Sequence, residues 1–139
     1  MKIGIVNYGM GNIHSLEGAV HNVINTELII SDNYKELSYC DKLILPGVGH
    51  FQEAVKNIKK LELDLFIKDY INNDNKFILG ICLGMQLLCS SSNEGSLNEG
   101  LNLIPATVRK FLPSKLPKPH IGYNQVSRFS EDPLYNNID

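Results

Sequence analysis

Short apolar runs, each stopped by glycine or a polar turn and followed by apolar residues at helical spacing, constrain this chain more than any other feature. Lys2 to Tyr8 is a β-branched run ended by Gly9-Met10-Gly11-Asn12, after which Ile13, Leu16, Val20, Val23 and Ile24 mark one helical face. Thr26 to Ile30 reads as a second strand, Ser31-Asp32-Asn33 as a turn, and Lys42 to Leu45 as a third strand closed by Pro46-Gly47. Beyond Gly49, the positions Phe51, Val55, Ile58, Leu61, Leu65, Phe66 and Ile67 predict helix with a break near Leu61, stopped by the polar run Asn72-Asn73-Asp74-Asn75. Phe77-Ile78-Leu79 is the next strand. Met85 to Ser91 then reads as helix, Ser90 to Gly95 as loop, and Ile104 to Phe111 as a strand that gives way to the proline-rich Pro113 to Pro119.

Strands without internal polar alternation, separated by helices, predict a doubly wound α/β fold whose mostly parallel sheet is covered on both faces. At 139 residues there is room for one domain, 1–139, and not for a second. Thirteen Lys+Arg against 15 Asp+Glu, with Arg109 and Arg128 the only arginines, leave no basic footprint for nucleic acid. Cys40, Cys82 and Cys89 make neither an even disulfide framework nor a Cys-x-x-Cys pair, so no metal is expected and a reducing cytoplasm fits. The apolar start Ile3 to Val6 meets Asn7 too soon for a signal peptide or membrane span. Nor is a nucleotide cofactor expected. The last glycine of a Gly-x-Gly-x-x-Gly fingerprint would fall on His14, and no phosphate-binding Gly-x-x-x-x-Gly-Lys-Ser/Thr occurs.

The chemistry concentrates in Phe77-Ile78-Leu79-Gly80-Ile81-Cys82-Leu83-Gly84-Met85-Gln86, a strand running into Gly-x-Cys-x-Gly and then a helix. Glycines two before and two after a nucleophile leave room for a sharp strand-to-helix turn that lifts its side chain above the sheet. At a helix start, unpaired N–H groups favour a thiolate, and the Leu83 N–H can face an oxyanion. Read alone, the string also fits a buried structural cysteine beside strand-end glycines. Leu45-Pro46-Gly47-Val48-Gly49 ends a neighbouring strand, and its glycines would permit a peptide orientation that turns the Val48 N–H toward the same charge. By itself it reads first as a tight β–α turn.

A thiol nucleophile works with a histidine, and the four here are His14, His21, His50 and His120. His14 and His21 share a helix face and read as solvated. His50 fits a helix start, and His120 belongs to the polar-aromatic string Pro119-His120-Ile121-Gly122-Tyr123-Asn124. Cys40 and Cys89, without flanking glycines, read as packing residues.

Taken in order, Asn7-Tyr8-Gly9-Met10-Gly11-Asn12, Leu45 to Gly49, Gly80 to Gln86, Gly100-Leu101-Asn102-Leu103-Ile104-Pro105 and Pro119 to Asn124 resemble the class I glutamine amidotransferases, and among them the glutaminase subunits of imidazole glycerol phosphate synthase. The resemblance implies a flavodoxin-like amidotransferase fold. It makes Cys82 the nucleophile, Val48 and Leu83 the oxyanion donors, and Gly49 and Gln86 contributors to binding L-glutamine. It implies no cofactor. It also implies a heterodimer with a (β/α)8-barrel cyclase that receives the ammonia for histidine synthesis, with His120, Gly122, Tyr123 and Asn124 at the interface.

The sequence departs from that family in three respects. The family carries a His-x-Glu pair downstream of the interface string, whereas no histidine follows His120 before Asp139 and none here has Glu two positions later. Asp132-Pro133-Leu134-Tyr135 resembles the turn before the family's last strands, so the expectation is a domain missing its C-terminal part and, without the His-x-Glu pair, inactive as a glutaminase on its own. Position 123 is Tyr where the family usually has Trp, and the helix start Ile13 to Gly18 is atypical. Two other readings stay open for the amidotransferase: a paralogue feeding ammonia to surface-sugar amidination, and a non-catalytic module that only docks on a partner. A flavodoxin-like cofactor binder is a third, distinguished by a bound chromophore.

Overall fold

The computed structural model describes residues 1–73, 75–112, 122–125, 127 and 132–136. Four parallel strands form its main sheet: β1 (Lys2–Val6), β2 (Glu27–Ser31), β3 (Lys42–Leu45) and β4 (Phe77–Gly80), in the order β2-β1-β3-β4. Five helices connect them or follow: α1 (Ile13–Val23), α2 (Tyr34–Leu37), α3 (Phe51–Lys60), α4 (Leu63–Ile71) and α5 (Leu83–Leu88). Each start has a local cause. The Asn12 side chain accepts from the Ser15 N–H at 3.2 Å and opens α1. Asn33 does the same from Lys35 at 3.0 Å for α2, a single turn that the sequence pattern did not announce.

The expected break near Leu61 separates α3 from α4, with Glu62 in the left-handed region at φ 56°. Phe51, Ala54 and Ile58 of α3, with Leu63, Ile67 and Tyr70 of α4, pack with Val6, Leu43 and Leu45 on one face of the sheet. On the other face, Ile13, Leu16 and Val20 of α1 cover Ile3, Ile5 and Ile44. The parallel α/β sheet with helices on both faces is thus as expected, but its cover is uneven. Phe77 and Leu79 of β4 point to the α1 side beyond that helix's reach and are 59% and 45% exposed.

A second, three-stranded sheet follows: β5 (Cys89–Ser92), β6 (Asn98–Glu99) and β7 (Ile104–Val108), in the order β6-β5-β7. Here the expected helix from Met85 to Ser91 is corrected. It ends at Leu88, and Cys89 to Ser92 is strand. The serine hydroxyls find partners, Ser90 Oγ donating to Asn102 Oδ1 in the segment before β7 at 2.6 Å and Ser91 Oγ pairing with Thr107 Oγ1 of β7 at 3.0 Å, while the backbone pairs in parallel with β7. Serine weakens a helix interior, so the strand prevails. The strand expected from Ile104 to Phe111 ends at Val108. Pro113 to Pro119 lies outside the described residues.

Because β1 connects to β2 on one side and the chain returns to β3 on the other, the topological switch falls between β1 and β3. Ligands in open α/β sheets bind beyond the carboxyl ends of the strands at that point. The loops Asn7 to Asn12 and Pro46 to His50 meet there, and Ile81-Cys82 emerges beside them from β4.

Candidate active site

Cys82 sits at the carboxyl end of β4 as the residue that opens α5, with φ 54° and ψ −115°. A non-glycine residue held there costs about 1–3 kcal/mol and persists only where its surroundings leave no alternative. Those surroundings are backbone. A methyl group on Gly84 would lie 1.7 Å from the Leu45 carbonyl oxygen, and one on Gly80 would lie 2.6 Å from the Met85 Cα. The two glycines of Gly-x-Cys-x-Gly therefore let α5 press directly on the ends of β3 and β4. Ile81 N–H donates to the Leu45 carbonyl at 3.0 Å, Gly84 N–H to Ile81 at 3.0 Å and Gln86 N–H to Cys82 at 3.1 Å. Cys82 is exposed, while Cys40 is fully buried and Cys89 half-buried. The buried-cysteine alternative thus describes Cys40, whose thiol burial pushes up, and not Cys82.

The turn after β3 lies against this elbow. Pro46 and Gly47 are buried, Val48 and Gly49 are exposed, and Gly49 has φ +109°. A methyl on Gly47 would meet Leu83 Cβ at 3.0 Å and the Gly84 nitrogen at 3.1 Å, which places the turn in contact with the first turn of α5. The structure therefore brings the Val48–Gly49 segment, Leu83 and Cys82 into one neighbourhood. Beneath the turn, the buried Tyr8 donates its phenol O–H to the Pro46 carbonyl at 2.8 Å. Burial, and secondarily the charge of Cys82, raise that phenol well above its ordinary pKa.

Gln86, half-buried one helical turn beyond Cys82, lines a cavity of about 390 Å³ together with Ser92, Glu94, Arg109 and Lys110. Glu94 was not singled out in the sequence. It lies in a polar stretch without a distinguishing pattern, and only the return of β5 toward α3 gives it a place. Its Oε2 accepts from the Phe51 N–H at 2.9 Å at the start of α3, and its Oε1 lies 3.6 Å from His50 Nδ1.

Among the described residues, no histidine contact reaches Cys82. His14 is fully exposed 3.6 Å from Glu17, and His50 stands at the start of α3 facing Glu94, in keeping with the helix-start role expected of it. His120 lies outside the described residues, whereas Gly122, Tyr123 and Asn124 are exposed. No group of three or more metal-ligating side chains occurs among the described residues, and no described helix is long and apolar enough to cross a membrane.

The model of the SNO glutamine amidotransferase family matches residues 10–112. Imidazole glycerol phosphate synthase subunit HisH of Prochlorococcus marinus (strain NATL2A) is 43% identical over 137 residues, covering 98% of this chain and 64% of that protein. The same-named subunit of Bacillus mycoides is 43% identical over 138 residues, covering 99% and 64%. Subunit HisH 1 of Campylobacter jejuni (strain 81-176) is 41% identical over 140 residues, covering 99% and 68%. The chain thus spans 64% of the length of the first two of these relatives. A crystal structure of a glutamine amidotransferase superposes with a TM-score of 0.65 at 17% identity over 77% of this chain and 55% of that one, a likeness of fold.

Proposed function

We propose, for a chain that belongs to the SNO glutamine amidotransferase family, that it carries the nucleophile and anion-binding half of a glutaminase. The observation that carries this reading is the exposed Cys82 on a strained elbow at the carboxyl ends of β3 and β4, with the Pro46–Gly49 turn packed against it.

In this reading the Cys82 sulfur attacks the side-chain amide carbon of L-glutamine, and the carbonyl π electrons move onto oxygen. The N–H groups of Val48 and Leu83 hold that anion, fixed donors acting where charge develops. The C–N bond then breaks, and the nitrogen leaves as ammonia after taking a proton. Water attacks the γ-glutamyl thioester, releasing glutamate and restoring the thiol. Gly49 lets the substrate approach the backbone, and Gln86 with Glu94 holds the amino-acid end in the cavity beside them. Glu94 suits an α-ammonium group, while Arg109 and Lys110 suit an α-carboxylate.

By resemblance, the imidazole that protonates the leaving nitrogen comes from a His-x-Glu pair, and none occurs among residues 1–139. Hydrolysis by residues 1–139 alone should therefore run about 10²–10⁴-fold below that of a site with its acid–base group. The ammonia acceptor in this reading is a cytoplasmic (β/α)8-barrel cyclase of histidine synthesis, docked through His120, Gly122, Tyr123 and Asn124. The names of the synthase subunits it resembles support that partner, as does the full exposure of the Tyr123 ring.

Labelling with a glutamine-shaped diazoketone tests the nucleophile without needing turnover. One adduct on Cys82, slowed by L-glutamine and absent from Cys82→Ser, is expected by intact and peptide mass. Modification of Cys89 instead, or labelling indifferent to glutamine, overturns the reading. Co-elution of the chain with a barrel cyclase on gel filtration is the companion measurement, and separate elution removes the partner from the proposal.

A further inference from the structure

We infer that Tyr8 is a positioning residue for the anion-binding turn, its phenol O–H holding the Pro46–Gly47 peptide so that the N–H of the next peptide, that of Val48, faces the intermediate on Cys82. This rests on the glutaminase reading and adds a residue that no sequence motif assigned a role.

The geometry is specific. Tyr8 is 2% exposed, so its hydroxyl must find a partner inside the protein, and the partner is the turn's own carbonyl at 2.8 Å. A methyl group on Gly47 would lie 2.3 Å from the Tyr8 oxygen, so the hydroxyl fills the space a side chain there would need. The same methyl would lie 3.0 Å from Leu83 Cβ. The peptide is therefore clamped between the phenol and the first turn of α5. Two neighbours of Tyr8 add apolar contact but no hydrogen bond. A methyl on Gly11 would lie 3.4 Å from the Pro46 ring, and one on Gly49 would lie 2.8 Å from the Met10 methyl. The loop after β1 thus cradles the whole turn, and Tyr8 supplies the polar tether. Burial raises the pKa of the phenol, which keeps it protonated and a donor.

Tyr8→Phe keeps the ring and removes the tether. Two reactions at Cys82 separate positioning from mere folding. Acylation by an activated γ-glutamyl ester passes through an oxyanion and needs no proton on its leaving group, whereas alkylation by iodoacetamide forms no oxyanion. Both are followed by mass on the intact chain, with slow labelling of buried Cys40 confirming that the variant is folded. The expected result is an acylation rate about 10-fold lower, with alkylation changed less than about twofold, since displacing an oxyanion donor acts on the former only. Equal losses in both rates would make Tyr8 a structural residue, and an unchanged acylation rate would remove its role. Either outcome overturns the inference while leaving the glutaminase reading intact. Wild-type chain that alkylates at Cys82 but is not acylated overturns both.

Discussion

Burial gives Tyr70 a different task from Tyr8. Its phenol donates to the Cys40 carbonyl at 3.0 Å, and its pKa is pushed from 10.0 up to about 12, by burial first and then by Cys40 and Asp41. The folded protein therefore retains a proton that the unfolded chain releases near pH 10. The stabilisation is complete below that pH and is lost as pH rises toward 12. Urea unfolding midpoints should fall across this window in the wild type and fall less steeply in Tyr70→Phe. At pH 8 the variant should be less stable by about 1 kcal/mol for the lost hydrogen bond. Parallel pH curves for the two proteins would remove Tyr70 from the account. At this scale the sequence was partly legible. Cys82 could be singled out because glycine spacing is local information, whereas Tyr8 and Glu94 owe their places to Pro46 and to Phe51, more than 35 residues away.

Among elements, α5 is fixed by what its glycines allow. With 1.7 Å between a Gly84 methyl and the Leu45 oxygen, Gly84→Ala forces α5 away from β3 and should cost about 3 kcal/mol or more, the upper range for overpacking. Gly18, inside α1 with nothing within 4 Å, is the control of opposite sign. Gly18→Ala should gain about 0.5–1 kcal/mol from helix propensity. Thermal or urea unfolding of both variants checks the pair, and a mild Gly84→Ala would show that the elbow is not backbone-locked. The strands β1, β3 and β4 and the paired helices α3 and α4 were readable because each announces itself in its own residues. The serine run of β5 did not, since its strand character comes from the pairing with β7 16 positions on. The single turn of α2 is too short to show a period.

For the whole molecule, the uneven cover of the main sheet matters most. Phe77 and Leu79, with Ile3 and Ile44, line an open apolar hollow of about 730 Å³, and β4 has a strand on one side only among the described residues. Lys42 lies 5.0 Å over the Phe77 ring, and Pro133 and Leu134 of a short 3-10 turn (Pro133–Tyr135) also line the hollow, yet Phe77 and Leu79 stay exposed. An exposed apolar edge invites association. Light scattering should therefore rise with concentration for the wild-type chain and rise less for Leu79→Lys, and identical curves would show the face to be harmless. A sheet covered on both faces was the expectation from uninterrupted apolar runs. Those runs report that a strand's side chains want burial, but not which neighbour arrives to bury them.

The joining of the two sheets has its own consequence. Six residues of α5, about 9 Å of helix, separate Cys82 from the first residue of β5, with no loop at either junction. A rod this short has no slack. In the glutaminase reading proposed above, a displacement of the rim at Ser92 to Glu94 should therefore be felt at the sulfur, coupling the two ends of the substrate's berth.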